Sequence, residues 1–336
     1  MKILIYDCLP DPSFKIHPAK ETFSKLGHNV DYFDWRASTS FYKDYFSIAL
    51  EKIFFKFFIN KINKKLLEFI KFNHYDLILV FMGKHIFPET LNILKKHCHC
   101  LASFNNDYFS NTFSSSYYVL QSIPIYDLHF TPRYHLIDEY IKYGAKNVYK
   151  IDWFYYSNFF RNYNLNLKFK YLYNLGFIGS WSKKRESYIK AIFGDGDYVN
   201  GWGWKKKYSN NHDFTIGNIV PFTKMNNLFF HTKINLNFLT VENKDTSNSR
   251  NFEIPSSLGF QLSERSKVIE NLFKEDLEIV LFSSEEELKS KILFYLKNDN
   301  LRQKISIAGW RRLLDSNYSL ESRLKYIIKK CKQFLP

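Results

Sequence analysis

Two stretches of this chain combine side chains suited to holding an anion and a sugar. In the first, Gly179-Ser180 precedes Lys183-Lys184-Arg185. Small residues at a strand end let backbone approach a ligand closely, and cations at the following helix start offset a diphosphate's charge. The second runs Ser247-Asn248-Ser249-Arg250-Asn251-Phe252-Glu253-Ile254-Pro255 and closes at Gly259. Residues 247–249 offer side-chain oxygens to the open N–H groups of a helix start, and Gly259 suits the left-handed residue after a helix end. Pro255 has no N–H, so the helix must begin late enough to keep it in the first turn or accept a kink. Glu253 then stands near a helix N-terminus beside Ser249, Arg250 and Asn251, its carboxylate open to sugar hydroxyls while backbone N–H groups take an anion. The plainer reading is a capped connector helix carrying a surface Arg250–Glu253 pair.

Other chemistry-bearing residues are more isolated. His85 and Asp107 follow predicted strands, where ligands collect in open α/β sheets, and are the candidates for proton transfer. Each is equally suited to a turn. His97-Cys98-His99-Cys100 has no second ligand pair at zinc spacing, so no metal site is assigned. Gly201-Trp202-Gly203-Trp204 is not a GxGxxG fingerprint, and no GxxxxGK[ST] loop occurs.

The elements that must position these residues alternate. A buried apolar strand over 2–7 leads to a helix over 17–26 ending at Gly27 and a strand over 29–33. A long basic helix follows over 46–72. Strands at 76–81, 100–104, 127–131 and 147–151 alternate with helices over 88–96 and 133–143. Residues 156–172 read as a linker. A second series opens with the strand ending at Gly179-Ser180, includes strands near 233–238 and 278–282, and ends in helices broken near 298–300 and Asn317. This predicts two Rossmann-like parallel-sheet domains, 1–155 and 173–315, and a C-terminal helix over 316–336 packing back on the first.

At 336 residues the chain exceeds what one core usually serves. A net charge of +15 points to anionic partners such as nucleic acid, a phospholipid surface or a nucleotide-linked substrate. Four cysteines, Cys8, Cys98, Cys100 and Cys331, make no disulfide framework in a chain this long. Neither a signal peptide nor a stretch of about 20 apolar residues is read, so a cytoplasmic protein is expected. The helix over 46–72 carries Lys52, Lys56, Lys61, Lys64, Lys65 and Lys71 among spaced apolar residues. It suits either packing on a sheet with lysines in water or peripheral contact with the anionic inner membrane face.

The order of motifs resembles a known family. Residues 170–325 resemble group 1 glycosyltransferases, and within them the spore-maturation (CgeB-like) branch. The matching strings are Phe177-Ile178-Gly179-Ser180 with Arg185, the glycine-tryptophan segment, Ile234-Asn235-Leu236-Asn237-Phe238, Arg250-Asn251-Phe252-Glu253-Ile254-Pro255 through Gly259-Phe260 to Glu264, Phe282-Ser283-Ser284-Glu285-Glu286-Glu287-Leu288, and Ala308-Gly309-Trp310-Arg311-Arg312. The resemblance implies a GT-B architecture, two Rossmann-like domains facing across a cleft. The C-terminal domain would hold a nucleotide-sugar donor, UDP-linked by preference, through Gly179, Ser180, Lys184, Arg185, Gly201, Gly203, Asp245, Ser249, Arg250, Asn251 and Glu253. Glu253 would grip the ribose, and Asp245, eight residues earlier, would be the first acid of an E-x7-E pair, here Asp rather than Glu. No cofactor or metal is expected beyond the nucleotide-sugar co-substrate, and the acceptor would be a saccharide or lipid-linked cell-surface glycan. The alternative is a non-catalytic protein of the same shape that binds nucleic acid or an anionic membrane surface. No RNP, KH or zinc-finger signature accompanies it, so nucleic acid is not the expected partner.

Overall fold

A computed structural model describes the chain apart from residues 8–13, 38–44, 110–115, 163, 165–167, 208–211 and 241–245, and apart from the side chains of residues 45–54 and Phe159. Cys8, Asp245 and the side chain of Lys52 therefore lie outside what is described. The chain divides into two compact units, one of Met1–Asp152 with Glu321–Pro336 and one of Trp153–Leu320.

In the first unit, β1 (Lys2–Asp7), α1 (Pro18–Lys25), β2 (Asn29–Asp34), α2 (Tyr45–Ile70), β3 (Tyr75–Phe81), α3 (Pro88–Lys96), β4 (Cys98–Phe104), α4 (Tyr117–Ser122), β5 (Leu128–Thr131), α5 (Ile137–Lys142) and β6 (Val148–Lys150) alternate. The sheet is parallel with order β2-β1-β3-β4-β5-β6. Its central strands are apolar on both faces, as helices on both sides require: Ile3 to Tyr6 and Leu77 to Val80 are buried throughout. His97 closes the end of α3 and residues 98–100 form the start of β4, where alternation turns Cys98 and Cys100 inward and His99 outward. The helix expected over 133–143 is a 3-10 turn (Tyr134–Leu136) followed by the shorter α5.

Near the end of β4, a buried polar pair joins it to β5. His129 Nε2 lies 2.9 Å from the Ile123 carbonyl and therefore donates, leaving Nδ1 to accept the Ser103 hydroxyl at 2.6 Å. Burial pushes the imidazole down to about 4, against the opposing pull of the Ile123 bond.

The second unit contains β7 (Tyr173–Ile178), α6 (Lys183–Ile192), β8 (Tyr198–Asn200), α7 (Trp204–Lys207), β9 (Thr215–Gly217), α8 (Phe222–Phe230), β10 (Thr232–Asn237), α9 (Arg250–Ser256), β11 (Gln261–Glu264), α10 (Lys267–Leu272), β12 (Val280–Phe282), α11 (Glu285–Leu296) and α12 (Asp299–Asp315). Its sheet is also parallel, ordered β12-β11-β10-β7-β8-β9. Strands β7 to β9 run outward one way and β10 to β12 the other, so the direction of winding reverses between β7 and β10. Phe177, Val199, Trp204, Ile234, Leu236, Phe238 and Leu262 fill the core beneath. The last helix, α13 (Leu320–Cys331), lies almost wholly in the first unit, where the Cys331 thiol sits against Cys100. Among the described residues no helix is long and apolar enough to cross a membrane.

The folded chain holds a proton on His129 less tightly than the unfolded chain does, with a pKa near 4 against an ordinary 6.5. Its contribution to stability is intact above about pH 6.5 and is lost as pH falls toward 4, by about 3 kcal/mol in all. An NMR titration of the His129 ring should show a midpoint well below 5, with urea stability declining over the same window. A midpoint near 6.5 would contradict the buried neutral imidazole.

Candidate functional site

Strands β7 and β10 pair in parallel register through Leu236 and Phe177, so the turns beyond Ile178 and Asn237 emerge side by side at the reversal point. In sheets of this kind ligands bind outside the carboxyl ends of the strands at that point. The two stretches singled out by residue chemistry both belong to it.

The first turn contains half-buried Gly179 and exposed Ser180 and leads into α6, whose Ser182 side chain accepts the Arg185 N–H at 3.3 Å. Arg185 itself turns inward. It is 8% exposed, with Nη1 donating to the Ser180 carbonyl at 2.9 Å and Nη2 to the Phe238 carbonyl at 2.8 Å, above the Phe177 ring. The expected phosphate-facing cation is thus a brace between two strand-end turns, because a guanidinium this deep needs acceptors in place of water. Lys183 and Lys184 remain exposed, and Lys184 pairs with Glu264, whose other oxygen accepts the Leu239 N–H at 2.9 Å.

Gly201 and Gly203 serve the same turn from β8. Gly201 has φ 147°, and a Cβ there would stand 2.1 Å from the Gly179 carbonyl oxygen. Gly203 has φ 88°, and its Cβ would meet Trp181 Cβ at 3.1 Å. Gly179 donates to the Asn200 carbonyl, Trp181 to that of Trp202, and Trp204 Nε1 to that of Gly179 at 2.7 Å. The two glycines make room for neighbouring chain.

The second stretch forms α9, but its ends differ from those expected. Ser249 already has helical torsions, φ −59° and ψ −32°, and no serine side chain caps the helix. The Ser249 carbonyl accepts from Phe252 and Glu253 N–H at 3.0 Å. Pro255 lies near the end of the helix, not in its first turn. The left-handed residue beyond is Leu258, φ 59°, and not Gly259. Gly259 is needed for space, since a Cβ would meet Asn235 Nδ2 at 2.9 Å and Ile254 Cγ2 at 3.0 Å.

Arg250 donates through Nε to the Ile178 carbonyl at 3.0 Å and through Nη1 to the Glu253 carboxylate. Glu253 is only 6% exposed, so its carboxylate is engaged where an open one was expected. Asn251, fully buried, accepts the Asn248 N–H at 3.0 Å and donates to Ser263 Oγ at 3.3 Å. Asn237 and Asn248 exchange reciprocal amide bonds of 3.1 and 3.0 Å. Sequence reasoning assigned no role to Ser182, Asn237 or Glu264, and read Asn248 as a helix cap where its amide instead pairs with Asn237. The asparagines at 235 and 237 inside a buried strand were the available signal, because a buried amide needs partners.

The first-unit candidates lie in different surroundings. His85 is buried, its ring 4.2 Å from that of Trp35 and 5.8 Å from Phe55. Asp107 follows β4, its Oδ1 accepting the Tyr108 N–H at 2.9 Å and lying 3.8 Å from Nη2 of buried Arg133. Among the described residues no group of three His, Cys, Asp or Glu side chains is placed to hold a metal.

Residues 177–329 match the family model described as glycosyl transferase-like. Among curated proteins no sequence matches the chain. Solved structures are similar across both units. HepE from Anabaena, in complex with UDP and glucose, is 12% identical, with a TM-score of 0.61 over 99% of this chain and 100% of its own. Sucrose-phosphate synthase from Thermosynechococcus elongatus is 10% identical, with a TM-score of 0.70 over 99% and 98%. T4 phage BGT, in complex with UDP and Mn2+, is 11% identical, with a TM-score of 0.64 over 98% and 99%. The fold is therefore GT-B, two parallel six-stranded sheets with their helices and a helical C-terminal end.

Replacing Gly201 with alanine forces the Gly179 and Gly201 turns apart. A loss of about 2–4 kcal/mol is expected in urea unfolding of the second unit, from backbone clash and strained φ together. Unchanged stability would show that the turns are not in contact.

Proposed function

We propose that this chain is a group 1 type glycosyltransferase whose second unit holds a nucleotide-diphosphate sugar, UDP-linked by preference, at the carboxyl ends of β7 and β10. The observation that carries this reading is the Arg250 tether, which joins the last residue of β7 to Glu253 and so gathers both motif stretches at one point. The fold and the match over residues 177–329 support it. The spore-maturation branch remains our assignment from the RNFEIP string.

In transfer, the bond from the anomeric carbon to the diphosphate oxygen breaks, and the nucleoside diphosphate leaves with that electron pair. An acceptor hydroxyl oxygen forms the new glycosidic bond and gives its proton to a base. Lys183, Lys184 and the backbone N–H groups at the start of α6 would stabilise the charge on the leaving diphosphate. Gly179 and Ser180 would allow it close to the backbone. Glu253, held by Arg250, would accept from ribose hydroxyls, with Ser249 and Asn251 shaping the turn beside it. We assign Asp107 of the first unit as the acceptor's base in preference to His85, which is packed between aromatic rings. The acceptor is proposed to be a saccharide or lipid-linked glycan on the cytoplasmic side of the membrane, and turnover is proposed to survive EDTA.

Calorimetric titration with UDP-, GDP- and CMP-linked sugars should find one series that binds. Glu253→Gln, which keeps the side chain's volume, should weaken that binding about 10- to 100-fold through loss of charge-assisted hydrogen bonds. Binding by none of the series, or unchanged binding by the variant, sinks the donor-site assignment. Asp107→Asn should lower kcat by at least about 100-fold while donor affinity holds. Retained turnover would remove Asp107 from the mechanism.

A further inference from the structure

Helix α2 is unlike a free amphipathic helix, because its apolar stripe is already occupied. Phe58, Ile59, Ile62, Leu66 and Ile70 are buried, and Ile62, Leu66 and Ile70 belong to the same core cluster as strands β1 and β3. Asn63 closes that face, donating to the His85 carbonyl at 2.9 Å and accepting the Phe87 N–H at 3.0 Å. The helix therefore cannot turn its apolar side to another surface.

What remains is its outer face. Phe57, Lys61, Lys64 and Glu68 recur every three or four residues and so share one stripe, with Lys65 beside it. Lys71 and Phe72 follow at once beyond the helix end, the ammonium 5.1 Å from the ring centroid. Over residues 56–72 the exposed charged side chains are Lys56, Lys61, Lys64, Lys65 and Lys71 against Glu68 alone. Within this cationic field stand large apolar side chains that the fold leaves in water, above all Phe57 at 65% and Phe72 at 87% exposure, while Phe69, at 40%, rests its ring on Phe33. Two exposed phenylalanines among lysines gain nothing from water and do not close a core. An interface whose surface is anionic and whose interior is apolar satisfies both groups at once.

We propose that the outer face of α2 with the adjoining Lys71-Phe72 is a docking surface for an anionic phospholipid bilayer. The lysines engage headgroups, and Phe57 and Phe72 enter the headgroup–acyl boundary. This surface belongs to the first unit and does not depend on the donor-site assignment.

The test is sedimentation of the intact chain with vesicles of phosphatidylcholine alone and of phosphatidylcholine mixed with phosphatidylglycerol. Binding is expected to the anionic vesicles only, and to weaken as salt is raised. Lys61→Gln with Lys64→Gln should lower partitioning about 30-fold, from roughly 1 kcal/mol per lysine at an anionic surface. Phe72→Ser should lower it about tenfold. These side chains are exposed, so the thermal midpoint should stay unchanged in every variant. Equal binding to both vesicle types, no binding to anionic vesicles at low salt, or variants that bind like the parent would overturn the proposal. So would retention of single-stranded RNA in place of vesicles. Donor titration in the same variants should be unaffected, so failure here leaves the transferase reading standing.

Discussion

A single guanidinium organises the second unit's strand ends. Arg250 reaches from the first residue of α9 to the last carbonyl of β7 and, on the same fork, to the Glu253 carboxylate one helical turn on. Neither partner tolerates its loss. A carboxylate with 6% exposure and no cation beside it would be strongly destabilising. A strand-end carbonyl deprived of its donor would have to find water. The ion pair thus keeps α9 in one orientation, and with it Asn251 and the Asn237–Asn248 amide exchange that joins the preceding loop to β10.

Around that tether the turns are stiff. Arg185 ties the Ser180 and Phe238 carbonyls together, while Gly179 and Gly201 meet backbone to backbone. Rigid dipoles are what a site needs if it is to meet charge developing on a leaving group without first reorganising. The exposed ammonium groups of Lys183 and Lys184 are held on a helix that begins from this fixed turn.

The fold class was legible because burial on both sheet faces writes itself into the sequence as uninterrupted apolar strands such as 76–81, with helices and glycine stops between them. Short, half-polar elements were not. Strand β9 has three residues and ends in Gly217, and β11 carries Gln261, Ser263 and Glu264, so neither shows an apolar run. Within the candidate site, residue types indicated which stretches would converge but not how their side chains would be spent. Arg185 and Glu253 read as exposed groups because Arg and Glu usually are. Their burial follows from partners far apart in the chain, Phe238 for one and the Ile178 end of β7, through Arg250, for the other. The serines before α9 read as caps, yet the loop supplies backbone carbonyls there. Asp245 lies outside the described residues, and its pairing with Glu253 is untouched by the geometry.

The first unit is built from both ends of the chain. Its core includes Leu324, Ile327 and Cys331 of α13, and the Cys331 thiol rests against Cys100 on a central strand. On a ribosome, β1 to β6 emerge first but wait for residues 321–336 before that part of their apolar surface is covered. The second unit is a continuous stretch, Trp153–Leu320. Order of synthesis and order of completion are therefore reversed: the half made first is finished last, and a nascent chain stopped at Leu320 would hold every residue of the second unit while the first still lacked residues 321–336.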